Sequence, residues 1–357
     1  FLYNPDENHS QLIYKRSRML KSIFSLILVF VSSWSVANEV NIYTSRHYDS
    51  DDQLYEDFRK ETGIKINVIS GNGSGLLERL KSEGANSPAD IFFTVDAGNL
   101  WKIQKEGYFQ SISSSKVLSI VPKNLRGPNN EWIAIAKRAR VIFYNPDNVS
   151  NEEMKDLRYE NLADKEWSNR IVIRSSNNIY NQSLVASLIS THGIGKTELW
   201  AKGLVSNFAR KPQGNDRSQI MAVASGMADL AIANSYYYGY MLSGKAGEDQ
   251  QKAAQKVKMF FPNQNDRGVH INISGLGVLR NAKNVDNANR FIEFLLSRKM
   301  QASMVNNSFE YPVLENVLPH SDIASSGLNF IEDEILVSEY GKFNSEALKL
   351  MDRAGWK

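Results

Sequence analysis

The 357-residue sequence contains no cysteine, and this absence removes several classes of chemistry. Without thiols the chain forms no disulfide, thiolate zinc site, iron–sulfur cluster or cysteine nucleophile. Histidine is also scarce, with five residues in the whole chain. None of them stands in an H-E-x-x-H or H-x3-H spacing, so a histidine-based zinc site is not predicted.

The sequence also lacks a large excess of charge of one sign. It has 42 basic and 39 acidic residues, which gives a formal net charge of +3. Nucleic-acid-binding proteins carry clustered positive charge, and this chain has none, so no nucleic-acid partner is expected. The apolar content of 42% is sufficient for a folded core and argues against global disorder.

No apolar run in the sequence is long enough to span a bilayer. IFSLILVFV at 23–31 has nine residues, whereas a transmembrane helix needs about 20. This run follows a basic region at Lys21 and precedes the small residues SVA at 35–37, a pattern typical of a secretory signal peptide. We therefore predict that residues 1–37 are a leader and signal peptide. The mature chain is then expected to begin at Asn38, in the periplasm, without membrane insertion.

From Asn38 onward, apolar runs of strand length alternate with amphipathic segments of helix length, which indicates an α/β fold. The predicted strands are 40–45, 64–70, 89–95, 132–136, 140–145, 170–174 and 228–234, with further apolar runs around 257–261 and 269–279. The predicted helices are 53–62, 76–84, 100–106, 182–192, 197–207, 218–225, 285–296 and 345–354.

The length of this region exceeds what one core usually holds, so two α/β lobes are expected. No linker rich in proline, glycine or serine separates them. The chain is therefore predicted to cross between the lobes through extended segments, with 137–140 and 267–273 as the candidates.

Several motifs that indicate catalysis or nucleotide binding are incomplete. GIGKT at 193–197 resembles the end of a phosphate-binding P-loop, but Ser190 stands where that motif needs a glycine. GNGSG at 71–75 lacks the spacing of a hydrolase nucleophile elbow around Ser74. This turn is either an anion-binding helix start or a flexible connection. Because no nucleophile–base pair is recognisable, we predict that the protein is not an enzyme.

Tyrosine is abundant, with 15 residues, and four of these lie within NSYYYGY at 234–240. Neighbouring strand side chains point to opposite faces, so these tyrosines share a target only if the chain has left the strand. Asn234 and Ser235 are good N-cap residues, which predicts that Tyr236 and Tyr237 lie in the first turn of a helix, where negative charge is favoured. They are either phenolate ligands or an aromatic cluster that packs in the core or binds carbohydrate.

Four segments match, in order, the segments of a known family. They are NIYTSRHY (41–48), TGIKINVISGNGSGLLERLKSEGANSPADIFFTVD (62–96), KRARVIFYN (137–145) and ADLAIANSYYYGY (228–240). The last contains a highly specific tandem-tyrosine motif, and the third carries Lys137 in place of the usual glycine. On these motifs the chain resembles the ferric-ion-binding periplasmic proteins of ABC iron importers, in particular the FutA type.

The resemblance implies an α/β, two-lobe periplasmic substrate-binding fold of class II, with transferrin-like lobes and two extended hinge crossings. The first lobe would comprise residues 38–138 plus 268–318, and the second 139–267 plus 319–357. The implied function is capture of ferric iron (Fe3+) between the lobes by a monomer and delivery to an ABC importer permease. Two alternatives stay open: an oxyanion or small organic anion as the solute, and an iron-sequestering protective role.

The resemblance also implies the metal site. The implied ligands are Tyr48, Tyr180, Tyr236 and Tyr237, with His47 as a fifth ligand or a supporting neighbour, and Tyr238 and Tyr240 as supporting residues. In a related branch a small-residue turn holds an anion, and SSNNIYNQ (175–182) replaces that turn here, offering Tyr180 instead. Val95 stands where that branch has an acidic ligand, with Asp96 one position later.

Ferric iron suits such a site because it is a hard cation and phenolate oxygen is a hard anionic donor. Ferrous iron, produced by reduction, is expected to bind more weakly. Four phenolates around Fe3+ leave a formal charge of −1, which needs a cation nearby. Arg138 is the predicted cation and Arg140 the alternative, although either could instead form an ion pair between the lobes.

Overall fold

The computed structural model describes residues 38–46, 48 and 50–357. The predicted leader and signal peptide, 1–37, and the predicted ligand His47 lie outside the described residues. Within the described part, no helix combines the length and apolar character needed to cross a membrane.

The strands form a mixed sheet that organises the molecule. They are β1 (Glu39–Thr44), β2 (Lys65–Ser70), β3 (Ile91–Val95), β4 (Ile133–Tyr144), β5 (Ile171–Val172), β6 (Leu230–Asn234), β7 (Lys258–Phe260), β8 (Ile271–Val278) and β9 (Tyr311–Pro312). Their order is β2-β1-β3-β8-β4-β6-β5, and β7 and β9 also pair with β4. β1 is parallel to β2 and β3, whereas β8 is antiparallel to β3 and β4.

Helices connect these strands. In the described residues they are α1 (Asp51–Thr62), α2 (Gly73–Glu83), α3 (Ala97–Lys105), α4 (Ser115–Ile120), α5 (Asn151–Met154), α6 (Ile179–His192), α7 (Ile194–Ser206), α8 (Asp216–Ala224), α9 (Ser235–Leu242), α10 (Glu248–Gln255), α11 (Val285–Leu295), α12 (Arg298–Ser308), α13 (Ser321–Ala324), α14 (Ser338–Lys342) and α15 (Asn344–Arg353).

The burial of the strands follows their position in the sheet. Every residue of β3, β6 and β8 is buried, as expected for central strands covered on both faces. β2 lies at the edge of the sheet, and its residues are exposed or half-buried. The core therefore lies around the central strands, and the helices cover them.

The strand β4 carries the chain from one part of the sheet to the other. Up to Ala139 it pairs with β8, whereas Arg140 pairs with Asn234 on β6. The prediction of two strands, 132–136 and 140–145, is therefore wrong, because one strand runs through both. Residues 137–140, where the sequence predicts an extended crossing, do not interrupt the strand, because their backbones continue the ladder with β8 as far as Ala139.

Several element boundaries differ from the prediction, and two of these differences affect the surroundings of Tyr180. The strand expected at 170–174 is limited to Ile171–Val172, since the Arg174 carbonyl leaves the sheet and accepts hydrogen bonds from side chains. The helix expected at 182–192 begins earlier, at Ile179, because the Asn178 side chain accepts a hydrogen bond from the Tyr180 backbone N–H. Tyr180 consequently lies in a first helical turn.

A segment near the C-terminus lies beside the second crossing between the two parts of the sheet. The Val269 N–H donates to the Ile331 carbonyl, and the Asp333 N–H donates to the Val269 carbonyl, each at 2.9 Å. Gly268 precedes this pairing with φ of 88°, a conformation that favours glycine. An added Cβ there would lie 2.6 Å from the Glu332 backbone, so the close approach requires glycine.

We predict that Gly268→Ala lowers the free energy of unfolding by roughly 2–4 kcal/mol, because left-handed strain and steric overlap with the backbone add together. Chemical denaturation measures this change. Gly226→Ala is the matched control, since Gly226 has φ of 78° but no atom within 4 Å of an added Cβ. The control should lose about 1 kcal/mol. Equal losses in both variants would contradict the close-contact explanation.

Candidate metal site

Tyr236 and Tyr237 lie in the first turn of α9, directly after β6, as the sequence predicts. Asn234 precedes the helix, but its side chain forms no cap hydrogen bond. It accepts instead from Arg140 at 3.2 Å, so the arginine rather than the helix uses the amide oxygen. The two tyrosine rings are in contact, with centroids 4.1 Å apart.

Tyr180 reaches the same place from the first turn of α6. Its side chain is buried, and its hydroxyl oxygen lies 3.5 Å from that of Tyr236. Two phenol oxygens from separate helices thus face one another. This is the arrangement that a shared cation requires.

Tyr48 completes the cluster from the loop that follows β1. Its ring is 6.3 Å from the Tyr236 ring, in an edge-on arrangement with an interplanar angle of 76°. Its hydroxyl oxygen is buried. The structure therefore brings together Tyr48, Tyr180, Tyr236 and Tyr237, whereas His47 is not among the described residues.

Two buried arginines lie against Tyr48 and Tyr236. The Arg46 guanidinium is 4.5 Å from the centre of the Tyr48 ring, and the Arg138 guanidinium is 5.6 Å from that of Tyr236. Glu310 forms ion pairs with both, at 3.5 Å and 3.1 Å respectively. Arg46 also pairs with Asp51 at 2.8 Å.

Two more arginines face Tyr180. The guanidinium groups of Arg140 and Arg174 are 5.9 Å and 5.5 Å from the centre of its ring. Both pair with the fully buried carboxylate of Asp216, Arg174 at 2.6 Å. Arg140 also donates to the Asn181 side chain at 2.7 Å. Of the two arginines that the sequence proposed as neighbours of the metal, Arg138 faces Tyr236 and Arg140 faces Tyr180.

The structure adds five charged residues that sequence reasoning missed: Arg46, Asp51, Arg174, Asp216 and Glu310. Arg46 belongs to the NIYTSRHY motif, so its position beside Tyr48 was a usable signal. Asp216 follows an N-cap asparagine and has the appearance of an ordinary helix start. Glu310 is far from every recognised motif, and nothing in the sequence distinguishes it.

The ionisation of the phenols is unfavourable in the absence of a metal. Burial, followed by the charge of Glu310, raises the pKa of Tyr48 well above its usual value. Burial and the neighbouring phenols raise the pKa of Tyr236 well above its usual value, and the pKa of Tyr237 also rises for these reasons. Arg138 opposes these effects at Tyr48 and Tyr236 because its positive charge favours the phenolate. A cation that binds here must therefore displace protons.

Two residues expected to support the site have separate contacts. Tyr238 donates from its hydroxyl to the Val257 carbonyl at 3.0 Å and packs on Phe143. Tyr240 packs on Phe309 and has the Arg217 guanidinium above its ring, 5.7 Å from the centre.

Asp96, one position beyond the expected acidic ligand, has a structural role. Its carboxylate accepts hydrogen bonds from the Ser183 hydroxyl at 2.8 Å, the Gly98 N–H at 2.8 Å and the Asn272 amide at 2.9 Å. Its backbone has φ of 75°, which is strained for an aspartate. These bonds hold the start of α3 against α6, the helix that carries Tyr180.

The GNGSG turn forms an ordinary helix start, because the Asn72 side chain accepts from the Gly75 N–H at 2.7 Å. Tyr48, Tyr236 and Tyr237 line instead a cleft of about 700 Å³, whereas Tyr180 does not border it. The residues that line this cleft are Tyr48, Ser50, Asn215, Arg217, Tyr236, Tyr237, Tyr240, Lys245, Asn307 and Ser308. The phenol oxygens therefore lie beside a cleft whose volume is larger than that of a bare metal ion.

In residues 38–46, 48 and 50–357 no group of three or more histidine, cysteine, aspartate or glutamate side chains is arranged to hold a metal. The phenol oxygens beside the cleft are hard donors when ionised, and such donors favour a hard cation. An α/β fold with a sheet-crossing strand and such a cleft defines a two-lobed solute-binding protein.

Comparisons with known proteins agree with this class. Residues 86–338 match the model of the bacterial extracellular solute-binding protein family. Iron uptake protein A1 of Synechocystis is 50% identical over 320 residues, covering 89% of this chain and 88% of that protein. FutA of Trichodesmium, solved in complex with iron and citrate ligands, is 52% identical, with a TM-score of 0.85 over 89% of this chain and 100% of its own.

A ferric binding protein from Campylobacter jejuni is 37% identical, with a TM-score of 0.82, and the match covers 89% of this chain and 100% of that one. The chain therefore belongs to the bacterial extracellular solute-binding protein family and, within it, to the periplasmic ferric-iron-binding proteins of the FutA type. The family and the fold class predicted from the sequence are confirmed.

We predict that Asp216→Asn lowers the free energy of unfolding by about 3 kcal/mol, because it leaves Arg140 and Arg174 without their buried counter-charge. Chemical denaturation of the metal-free protein measures this loss. Glu198→Gln is the control, since Glu198 pairs with Arg353 where both side chains are partly exposed, and its effect should be much smaller. Similar losses for both variants would show that burial of the Asp216 pair has little energetic importance.

Proposed function

We propose that the protein captures ferric iron in the tyrosine-lined cleft, through the oxygens of Tyr48, Tyr180, Tyr236 and Tyr237, and delivers it to an ABC importer permease. Its relatives are iron uptake and ferric-binding proteins, which supports iron transport as the function. The observation that carries the ligand assignment is the meeting of four phenols from three separate segments at one buried place.

The charge around the phenols supports an anionic metal complex. Four phenolates and Fe3+ together carry −1. Around them the ion pairs join four arginines (Arg46, Arg138, Arg140 and Arg174) to three carboxylates (Asp51, Glu310 and Asp216). This network has one positive charge in excess, which balances the complex. A neutral solute would gain nothing from that excess.

The proposed lobes are residues 38–138 plus 268–318 and residues 139–267 plus 319–357. Under this division Tyr48 belongs to the first lobe, and Tyr180, Tyr236 and Tyr237 belong to the second. A metal that contacts all four favours the closed arrangement of the lobes through its differential affinity. The closed form is the state that a permease can distinguish from the empty protein.

The proposal places the mature protein in the periplasm, as a monomeric binding protein rather than an enzyme. Membership of an extracellular solute-binding family supports export and an ABC transporter partner. The signal peptide proposed at 1–37 would direct that export.

A small organic anion is the second candidate for the cleft, alone or together with the metal. Arg217 and Lys245 line the same cleft as Tyr48, Tyr236 and Tyr237, and the volume of about 700 Å³ accommodates a small carboxylate. Calorimetric titration of the iron-free protein with citrate and with phosphate tests this candidate. Tight binding of either anion without iron would favour it over ferric iron as the primary solute.

We predict that the purified protein given ferric iron develops a visible tyrosinate-to-iron absorption, and that Tyr236→Phe combined with Tyr237→Phe abolishes it. The reason is that both hydroxyl oxygens are proposed ligands. Tyr238→Phe is the matched control, because this adjacent hydroxyl bonds the Val257 carbonyl and should leave the absorption intact. An unmodified protein without such absorption would refute the ferric site, and absorption retained in the double variant would refute the ligand assignment.

We also predict that the apparent affinity for iron falls as the pH is lowered. The raised pKa values of Tyr48, Tyr236 and Tyr237 mean that these phenols are protonated before binding and release protons to the solvent. Each released proton changes the apparent affinity by about tenfold per pH unit. Competition with a chelator of known pH dependence measures the slope. Tyr237→Phe should reduce the slope by about one proton, and a pH-independent affinity would contradict phenolate ligation.

A further inference from the structure

Glu310 is a buried carboxylate that links two of the arginines beside the tyrosines. It is fully buried and stands between α12 and β9. Its carboxylate accepts a hydrogen bond from the Ser274 hydroxyl at 2.6 Å and pairs with Arg138 at 3.1 Å and Arg46 at 3.5 Å. One carboxylate therefore joins the guanidinium group of Arg138, on β4, to that of Arg46, in the loop after β1.

Each of these arginines faces a different tyrosine of the cluster. Arg46 lies over the Tyr48 ring, and Arg138 lies over the Tyr236 ring. Tyr48 follows β1, whereas Tyr236 follows β6. Glu310 pairs with both arginines, so it acts on the site through them and through its own charge.

We propose that Glu310 is a positioning and specificity-determining residue of the iron site, whose negative charge favours ferric over ferrous iron. This inference rests on the proposed ferric function. The carboxylate fixes the two guanidinium groups beside the phenols and, at the same time, cancels part of their positive charge. The net positive charge beside the four phenols is therefore small, and it suits a metal complex with a small negative charge.

The preference follows from the charge that each ion produces on binding. When four phenols lose their protons, binding of Fe3+ changes the charge of the site by −1, whereas binding of Fe2+ changes it by −2. A nearby negative charge opposes the second change more strongly than the first. Glu310 therefore weakens the binding of both ions, but it weakens ferrous iron more. Its removal should raise the affinity for Fe2+ relative to Fe3+.

The test is the midpoint potential of the iron-loaded protein, measured by spectroelectrochemistry. Glu310→Gln keeps the shape and removes the charge, and it should shift the potential in the positive direction by about 59 mV for an about tenfold loss of ferric preference. Glu310→Asp keeps the charge and should remain close to the unmodified protein. Asp333→Asn is the control for loss of a buried carboxylate, because Asp333 pairs with Arg267, which faces Tyr159.

A second variant protects the test if Glu310→Gln folds poorly. Arg46→Gln removes a positive charge from the same network, so it should shift the potential in the negative direction. Combining it with Glu310→Gln should restore the original value.

A shift of the same size in Glu310→Gln and Glu310→Asp would mean that the contacts matter and the charge does not, which overturns the inference. Equal potentials in all variants would also overturn it, while leaving the ferric function intact. Absence of the tyrosinate absorption in the unmodified protein would refute the ferric function itself.

Discussion

The pairing of buried arginines with buried carboxylates is the interaction on which the site depends. Phenols grouped in a buried place resist ionisation, because each phenolate raises the energy of the next. Guanidinium groups behind the rings reduce that energy, but an unpaired buried cation would itself be costly. The solution in this chain is a network in which Glu310 and Asp216 each hold two arginines. The carboxylates keep the cations in place before any metal arrives.

The strand β4 links this network to the fold. Arg138 and Arg140 are two positions apart on one strand, so their side chains leave the same face. The strand exchanges β8 for β6 between them, and Arg138 consequently reaches Glu310 while Arg140 reaches Asp216. The point at which the chain crosses between the parts of the sheet is therefore also the point at which it supplies charge to the tyrosines. A register change in β4 would disturb the fold and the site together.

The sequence was sufficient for the α/β class and the central strands, because these depend on local hydrophobic pattern. It also placed Tyr236 and Tyr237 correctly in a helix, although the Asn234 side chain does not cap that helix. Prediction from the sequence failed where long-range contacts determine the structure. The charged residues around Arg138 separate two apolar runs, so the sequence predicts two strands, and pairing with β8 makes them one. The role of Glu310 depends on a contact with residues 172 and 264 positions away, and no local pattern encodes such a contact.

The position of Asp96 relates the geometry of the site to closure of the lobes. Under the proposed division Asp96 belongs to the first lobe, whereas Ser183 lies on α6 of the second, one helical turn beyond Tyr180. The strained backbone of Asp96 is maintained by three hydrogen bonds, one of which crosses between the lobes. Separation of α6 from the first lobe would therefore break this bond and remove one of the three partners that hold the strained Asp96 backbone.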